Sequence, residues 1–236
     1  MVEIESPEVA SKMAYDRAIV VFSPEGRLYQ VEYAFKAVEN ATTVLGIVFK
    51  DGVALVAAKS VPKLLVPETA EKIIKIDEHI AIGFCGLVAD ARVLAEFSRV
   101  RGQVNRISYG KPISVYSLAK QIANRKQQYT QVGGIRPYGI SFLISGYDDK
   151  PHLIETDPSG TIREWEAHAI GRGSKQARAV LEKDFKSGMT RDQAITLGVR
   201  AMGEGEKKIN AKNVDICVVE NKKFRKLDQN EMKKYF

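Results

Sequence analysis

Cysteine and histidine are scarce in this chain of 236 residues. Two cysteines, Cys85 and Cys217, each stand in an apolar setting, and neither has a second cysteine at a metal-ligand spacing. This argues against a disulfide scaffold or a cysteine zinc site, so we expect two buried, reduced thiols. The histidines, at positions 79, 152 and 168, are far apart, although a fold could bring two of them together. We expect neither a metal nor a cofactor.

Long hydrophobic runs are also missing. The longest nearly uninterrupted apolar run, residues 80–89, contains two glycines and is half as long as the ~20 residues that a bilayer helix needs. The first eight residues carry three glutamates and no apolar stretch of the signal-peptide type. We therefore expect a cytoplasmic protein without a membrane partner.

Positive charge is in excess, with a formal net charge of +7. Basic residues crowd the last fifteen positions of the chain, namely Lys222, Lys223, Arg225, Lys226, Lys233 and Lys234. Such a run could meet phosphate groups, which leaves a nucleic-acid-binding protein as one alternative. We favour a solvated surface and no nucleic acid partner, because no aromatic platform or nucleic-acid motif accompanies the run.

A turn at residues 22–26 leads into a predicted helix over 27–39, with Ser23 as the cap and Pro24 in the first turn. At helical spacing, two separate apolar stripes follow, one of Leu28, Val31, Phe35 and Val38, the other of Tyr29, Tyr33 and Ala37. One stripe can pack on the protein's own domain while the tyrosine stripe meets another molecule. A helix lodged between two internal layers explains the pattern equally well.

The rest of the chain alternates between strands and helix pairs. Predicted strands cover 43–49, 53–61, 72–76, 80–85, 138–145, 152–156, 161–169, 214–220 and 224–227. One helix pair carries apolar stripes of Val93, Phe97, Val100, Val104 and Ile107, and of Val115, Leu118, Ala119 and Ile122. A second pair follows Ser174 and Thr190, where Gln193 completes a capping-box pattern.

This order predicts an α+β fold, because hairpin-linked strands are antiparallel and each sheet must bury a face. Two sheets stacked face to face with the helix pairs outside form a four-layer α-β-β-α sandwich that buries every stripe named above. We expect an N-terminal arm at 1–14 and one domain at 15–236. Two separate α+β domains are the alternative, but no linker-like composition divides the halves.

Several segments resemble the archaeal form of the proteasome α subunits, from about residue 13 to the C-terminus. The longest are YDRA at 15–18 and FSPEGRLYQVEYA at 22–34, followed by EKI at 71–73, GLVADAR at 86–92, QYTQ at 128–131 and GGIRPYG at 133–139. The resemblance implies the sandwich of N-terminal nucleophile hydrolases. It also implies seven-membered α rings that cap rings of β subunits in the 20S core, which gives the tyrosine stripe a neighbour.

In this superfamily a threonine at the very start of the mature chain is the nucleophile, activated by its own α-amine. Thr42 and Thr43 stand at the corresponding place, but an internal residue has its nitrogen in a peptide bond. The position where active subunits carry an acid falls on Ala58, next to Lys59. We therefore predict no catalytic residues in this chain and a gating subunit, with catalysis on partner β subunits. An active threonine peptidase of the same superfamily is the alternative.

The resemblance also implies roles for individual residues. It places Lys72, Gly86 and Leu87 in a pocket for the C-terminal tail of an activator, which would be a proteasome-activating ATPase or another ring activator. It implies a gate made of Tyr15, Asp16, Pro24 and Tyr33. It places Gly133, Gly134 and Arg136 in a loop, 132–139, at a constriction inside the ring through which unfolded protein substrates pass.

Overall fold

The computed structural model describes residues 20–236, apart from the side chains at 67 and 68. The predicted arm and the gate residues Tyr15 and Asp16 lie outside the described residues. The helices are α1 (Tyr29–Glu39), α2 (Val88–Tyr109), α3 (Val115–Tyr129), α4 (Ser174–Asp184), α5 (Arg191–Gly205) and α6 (Gln229–Met232), with 3-10 turns at Pro67–Ala70 and Lys233–Tyr235.

Ten strands form two antiparallel sheets within the described residues. They are β1 (Val44–Phe49), β2 (Gly52–Ala58), β3 (Ile73–Asp77), β4 (Ile80–Gly86), β5 (Ile140–Tyr147), β6 (Pro151–Thr156), β7 (Ile162–Glu164), β8 (Ala167–Ile170), β9 (Val214–Glu220) and β10 (Lys223–Lys226). The first sheet has the order β10-β9-β2-β1-β8 and the second has the order β3-β4-β5-β6-β7.

The two sheets stack face to face and form the predicted four-layer sandwich. Their inner faces share one apolar core, which includes Val44, Leu55, Ala81, Leu143 and Leu153. Helices α4 and α5 cover the outer face of the first sheet, while α2 and α3 cover that of the second. The α+β sandwich predicted from the sequence is confirmed, and both cysteines are free and buried as expected.

One predicted strand is in fact two. The sequence pattern predicts a single strand over 161–169, but β7 pairs with β6 in the second sheet and β8 pairs with β1 in the first. The chain changes sheets over two residues: the Trp165 N–H donates to Leu153 O at 2.9 Å, and Glu166 O accepts from the Val48 N–H at 2.8 Å. The alternation of apolar and polar residues along a strand does not show where the chain leaves one sheet and enters the other.

The apolar stripe that was predicted to pack α2 against the sheet lies on the solvent-exposed face of the helix. Ile107 is 85% exposed and Val100 is 51% exposed, while Phe97 is only partly buried. The buried face consists of Asp90, Leu94 and four small residues, namely Ala91, Ala95, Ser98 and Gly102. Small side chains let the helix lie close to the sheet, which leaves the larger ones outside. The stripe of α3 is buried as predicted.

Helix α1 begins at Tyr29, and Ser23 does not cap it. The residue before the helix, Leu28, provides no side-chain cap. Ser23 instead closes the preceding turn, where its N–H donates to Arg27 O at 2.9 Å and its hydroxyl accepts from the Arg27 N–H at 3.1 Å. Pro24 therefore lies in that turn, outside the helix. In contrast, the capping box of Thr190 and Gln193 at the start of α5 is confirmed.

Candidate functional site

The hydroxyl group of Thr43, just before β1, is engaged both as a donor and as an acceptor. The backbone N–H and the hydroxyl of Thr43 both donate to the Glu206 Oε1 atom at 2.8 Å, and the hydroxyl accepts from the Gly173 N–H at 2.9 Å. Glu206 follows the end of α5, and Gly173 precedes α4. Thr43 thus joins β1 to both helices of the outer layer, which is a structural use of its hydroxyl group.

Glu206 is held ionised between Thr43 and Arg172. Burial acts to raise the pKa of the Glu206 carboxyl, but hydrogen bonds from Arg172 and Thr43 outweigh it and bring the pKa below its ordinary value. The Arg172 Nε lies 3.0 Å from both carboxylate oxygens, and its Nη2 donates to Oε2 at 2.5 Å. The Arg172 backbone N–H also donates to Ala41 O at 2.9 Å.

Thr42 is in contact with Lys72, which comes from the start of the second sheet. The Lys72 Nζ donates to the carbonyl oxygen of Thr42 at 2.6 Å and to its hydroxyl oxygen at 2.8 Å. The Cys85 thiol donates to the same carbonyl at 3.1 Å. Burial lowers the pKa of Lys72, whereas burial raises the pKa of Cys85 to about 11, so the thiol is protonated at neutral pH.

The contact with Lys72 does not by itself make the Thr42 hydroxyl group a nucleophile. The missing part is a base, because the nitrogen of Thr42 is in a peptide bond with Ala41 and cannot accept a proton. Ala58, where an acid would be needed, is a buried apolar residue at the end of β2. The contacts of Thr42 therefore fix the start of β1, but they do not activate its hydroxyl group as a nucleophile.

Two family models match this chain. One, described as a proteasome subunit, matches residues 38–219, and the other, described as the N-terminal signature of A-type proteasome subunits, matches residues 15–37. This chain belongs to the proteasome α subunit family. Membership of this family agrees with the geometry of Thr42, whose nitrogen is in a peptide bond and cannot act as a base. The chain is a non-catalytic subunit of the proteasome.

Archaeal proteins named as alpha subunits of the proteasome are similar over almost the whole chain. The protein from Archaeoglobus fulgidus is 48% identical, over 95% of this chain and 93% of its own. The one from Methanosarcina acetivorans is 50% identical, over 96% and 94%, respectively. The one from Pyrococcus abyssi is 45% identical, over 96% and 88%.

The three residues predicted to bind an activator lie on neighbouring strands or at their ends. Lys72 pairs with Phe84 through the Phe84 N–H, which donates to Lys72 O at 3.2 Å. Gly86 ends β4, and Leu87 precedes α2 and is 44% exposed. The structure brings these residues to one end of the second sheet, although the ammonium group of Lys72 faces Thr42. Their role in binding stays a prediction.

Two of the four predicted gate residues can be located. Pro24 is exposed in the turn that Ser23 closes, and Gly26 in the same turn adopts a φ of 76° that favours glycine. Tyr33 is half exposed on α1, while Val31, Ala34 and Val38 form the buried face of the helix. Val31 and Val38 of the first predicted stripe are thus buried in the domain, whereas Leu28 and Phe35 are only partly buried.

The predicted constriction loop connects α3 to β5. Residues 131–136 are exposed, and Gly134 has a φ of 81°. Arg136 is folded back onto the helix α2, where its two Nη atoms each lie 2.7 Å from an oxygen of Asp90. Sequence reasoning included both residues in family segments but missed their pairing. It also missed the roles of Glu206 and Arg172, for which no local pattern exists.

One group of side chains within residues 20–236 has metal-ligand character, and it consists of Asp148, Asp149 and His152. Both ring nitrogens of His152 are in contact with carboxylates, Nδ1 with Glu164 at 2.7 Å and Nε2 with Asp148 at 2.9 Å. Burial opposes protonation of His152, but these carboxylates outweigh it and raise the pKa of the imidazole. The group is thus satisfied as an ionic cluster.

Three of the six basic residues named near the C-terminus are paired with acids. Lys226 lies 3.1 Å from Glu71 and 3.3 Å from Asp215, and Lys234 lies 3.4 Å from Asp192. Arg225 pairs with Glu231. These pairs agree with the solvated-surface interpretation. None of the helices within residues 20–236 combines the length and the apolar character that crossing a lipid bilayer requires.

Proposed function

We propose that this chain forms the seven-membered outer ring of a cytoplasmic proteasome core, gates the entry of unfolded proteins and docks activators, while partner β subunits carry out the peptide cleavage. The observation that carries this proposal is the state of Thr42. Its nitrogen is bound in the chain, and its hydroxyl and carbonyl oxygens accept from Lys72. A subunit with the fold of the superfamily but without its base is suited to an architectural role.

The exposed stripe on α2 supports contact with a β ring. Val93, Val100, Val104 and Ile107 all lie on one helix face with at least 46% of each residue exposed. Contiguous apolar patches on a protein surface mark interaction sites. Because α2 is in the outermost layer of the sandwich, this face is accessible to a neighbouring ring without any change in the fold.

The end of the second sheet supports docking of an activator tail. A carboxylate that reaches Lys72 would exchange the Thr42 contacts of the ammonium for a charge-assisted hydrogen bond. Gly86 has no side chain to obstruct an approaching backbone, and the exposed side chain of Leu87 offers apolar contact. The gate would consist of the arm with Tyr15 and Asp16, next to the turn of Pro24 and the exposed face of Tyr33.

The test is to assemble the full chain with β subunits and to compare it with a variant lacking residues 1–12. We expect hydrolysis of a short fluorogenic peptide to rise in the truncated particle because the arm no longer blocks the pore. An unchanged rate would contradict the gating role. The peptidase alternative requires a mature chain that starts at Thr42 or Thr43, which mass spectrometry of the purified protein can detect.

A further inference from the structure

Asp90 is a buried carboxylate whose side-chain hydrogen bonds, among residues 20–236, lead to one loop. It lies in the first turn of α2, with its side chain 8% exposed. Its two oxygens accept from the Nη atoms of Arg136 at 2.7 Å, and Oδ2 also accepts from the Gly139 N–H at 2.9 Å. Both contacts belong to the loop at 132–139, so one side chain holds the loop at two separate points.

The charge of Asp90 depends on these donors. Burial acts to raise the pKa of the carboxyl, but the bonds from Arg136 and Gly139 outweigh it and bring the pKa below its ordinary value. The guanidinium group of Arg136 is committed as well, since Nη1 also donates to Pro137 O at 3.0 Å. The side chain of Arg136 therefore links the loop to α2 through hydrogen bonds.

The base of the loop also contacts the Gly86–Leu87 turn. The Leu87 N–H donates to Gly139 O at 2.9 Å, and the Ala91 N–H donates to Leu87 O at 3.1 Å. Gly86 has a φ of 124°, and a Cβ atom there would lie 2.0 Å from Gly139 O, so only glycine permits this approach. The turn, the start of α2 and the end of the loop thus form one hydrogen-bonded unit.

We propose that Asp90 is a positioning residue that fixes the loop 132–139 through Arg136 and Gly139, and so limits the size of the substrate chain that the ring admits. This inference rests on the proposed function, in which that loop lines the constriction. The exposed residues 131–136, most of them in this loop, lie between the buried residues Thr130 and Pro137. A loop held by Asp90 keeps its conformation while a substrate chain passes. A loop without these hydrogen bonds is displaced by the substrate chain.

The experiment uses particles assembled with β subunits from chains lacking residues 1–12, so that the gate does not limit entry. Two rates are measured for each particle, one for a short fluorogenic peptide and one for unfolded casein. For Asp90→Asn and for Arg136→Gln, we expect the ratio of the casein rate to the peptide rate to rise at least about threefold. The double variant should show no further rise over Asp90→Asn, because that substitution already removes the contact between Asp90 and Arg136.

Asp77→Asn is the matched control. Asp77 is also a buried acid that pairs with an arginine, and a single nitrogen of Arg106, Nη2, lies 3.0 and 2.9 Å from its two oxygens, towards the other end of α2. Loss of that pair should leave the ratio at the wild-type value, which separates positioning of the loop from general destabilisation. A nitroxide attached at Val132→Cys gives a second readout, and its spectrum should show faster motion in Asp90→Asn.

An unchanged or lower ratio in Arg136→Gln would overturn the inference, and so would an unchanged ratio in an assembled Asp90→Asn particle. The Arg136 side chain is more than half exposed, so its substitution tests the idea even if Asp90→Asn does not fold. If truncation of residues 1–12 leaves peptide entry unchanged in the wild-type chain, the proposed function fails and this inference fails with it. An unchanged ratio in particles that open on truncation refutes the inference alone.

Discussion

The ammonium group of Lys72 lies 2.6 Å from the carbonyl oxygen of Thr42 and 2.8 Å from its hydroxyl oxygen. A lysine and a threonine from different sheets thus meet where the superfamily has its nucleophile. In this chain the pair fixes the start of β1 to the start of β3. The same lysine is the residue that we propose for binding an activator tail, so docking must compete with this internal contact.

Replacement of Lys72 tests the docking site. We expect Lys72→Ala to weaken activator association by roughly 2 kcal/mol or more, because the activator carboxylate loses its charged partner. Ring assembly should stay intact, as seen by electron microscopy. Lys75→Ala is the control, since Lys75 is an exposed lysine close by that pairs with Glu78. Equal activator-stimulated degradation by wild type and Lys72→Ala would refute the site.

The network around Glu206 should contribute to folding stability. In Glu206→Ala, the buried N–H of Thr43 loses its acceptor, and we expect the free energy of unfolding to fall by about 2 kcal/mol. Glu204→Ala, an exposed change two residues earlier, should have little effect. Denaturant unfolding followed by circular dichroism gives both values. If the two variants unfold alike, the network has no role in stability.

Lys126 should make stability depend on pH. Its Nζ is buried and donates to Thr156 O and Oγ1 at 2.9 Å and to Ile140 O at 3.1 Å, and burial lowers its pKa to about 7. Between pH 7 and the unfolded-state pKa near 10.5, the unfolded chain keeps a proton that the folded chain has lost. The free energy of unfolding therefore rises with pH in this window, by up to about 1.4 kcal/mol per pH unit.

The measurement is thermal unfolding from about pH 7 to about pH 10 for wild type and Lys126→Met, the window set by the two pKa values. We expect wild type to gain stability relative to Lys126→Met as pH rises. Lys120→Met, an exposed change on the same helix, should keep the wild-type dependence. Parallel curves for wild type and Lys126→Met would show that the buried amine does not titrate in this range.

The exposed stripe on α2 should be needed for association with β subunits. A double change, Val100→Glu with Ile107→Glu, places two charges on that face, and we expect assembly with β subunits to be lost while the α chain stays folded. Ser187→Glu adds a charge in the loop between α4 and α5, in the opposite outer layer, and should assemble normally. Size-exclusion chromatography of co-expressed subunits distinguishes these outcomes, and normal assembly of the double variant would exclude this face as the contact.

Local patterns in the sequence predicted most of the elements. The capping box at Thr190, the stripe of α3 and the strand runs all depend on residues within a few positions of each other, and the structure confirms them except for the single strand predicted over 161–169. The stripe of α2 misled the prediction because periodicity gives the faces of a helix but not which face is covered. Small residues such as Ala91 and Gly102 give no apolar signal, yet they form the buried face.

Long-range contacts could not be predicted in this way. Thr43 and Glu206 are 163 positions apart, and Asp90 and Arg136 are 46 apart. Each pair comes together only in the packed fold of sheets and helices. The sequence around one residue of a pair therefore does not identify the other residue. The resemblance to α subunits identified the segments that contain Asp90 and Arg136, but it gave no geometry.

The most direct test of the account is the intact mass of this chain after an assembled particle has been treated with a covalent inhibitor directed at catalytic threonines. We predict that the inhibitor is found on the β subunits and that the mass of this chain is unchanged, with its N-terminus still preceding Thr42. An inhibitor adduct on a chain that begins at Thr42 or Thr43 would contradict the central claim that this subunit is non-catalytic.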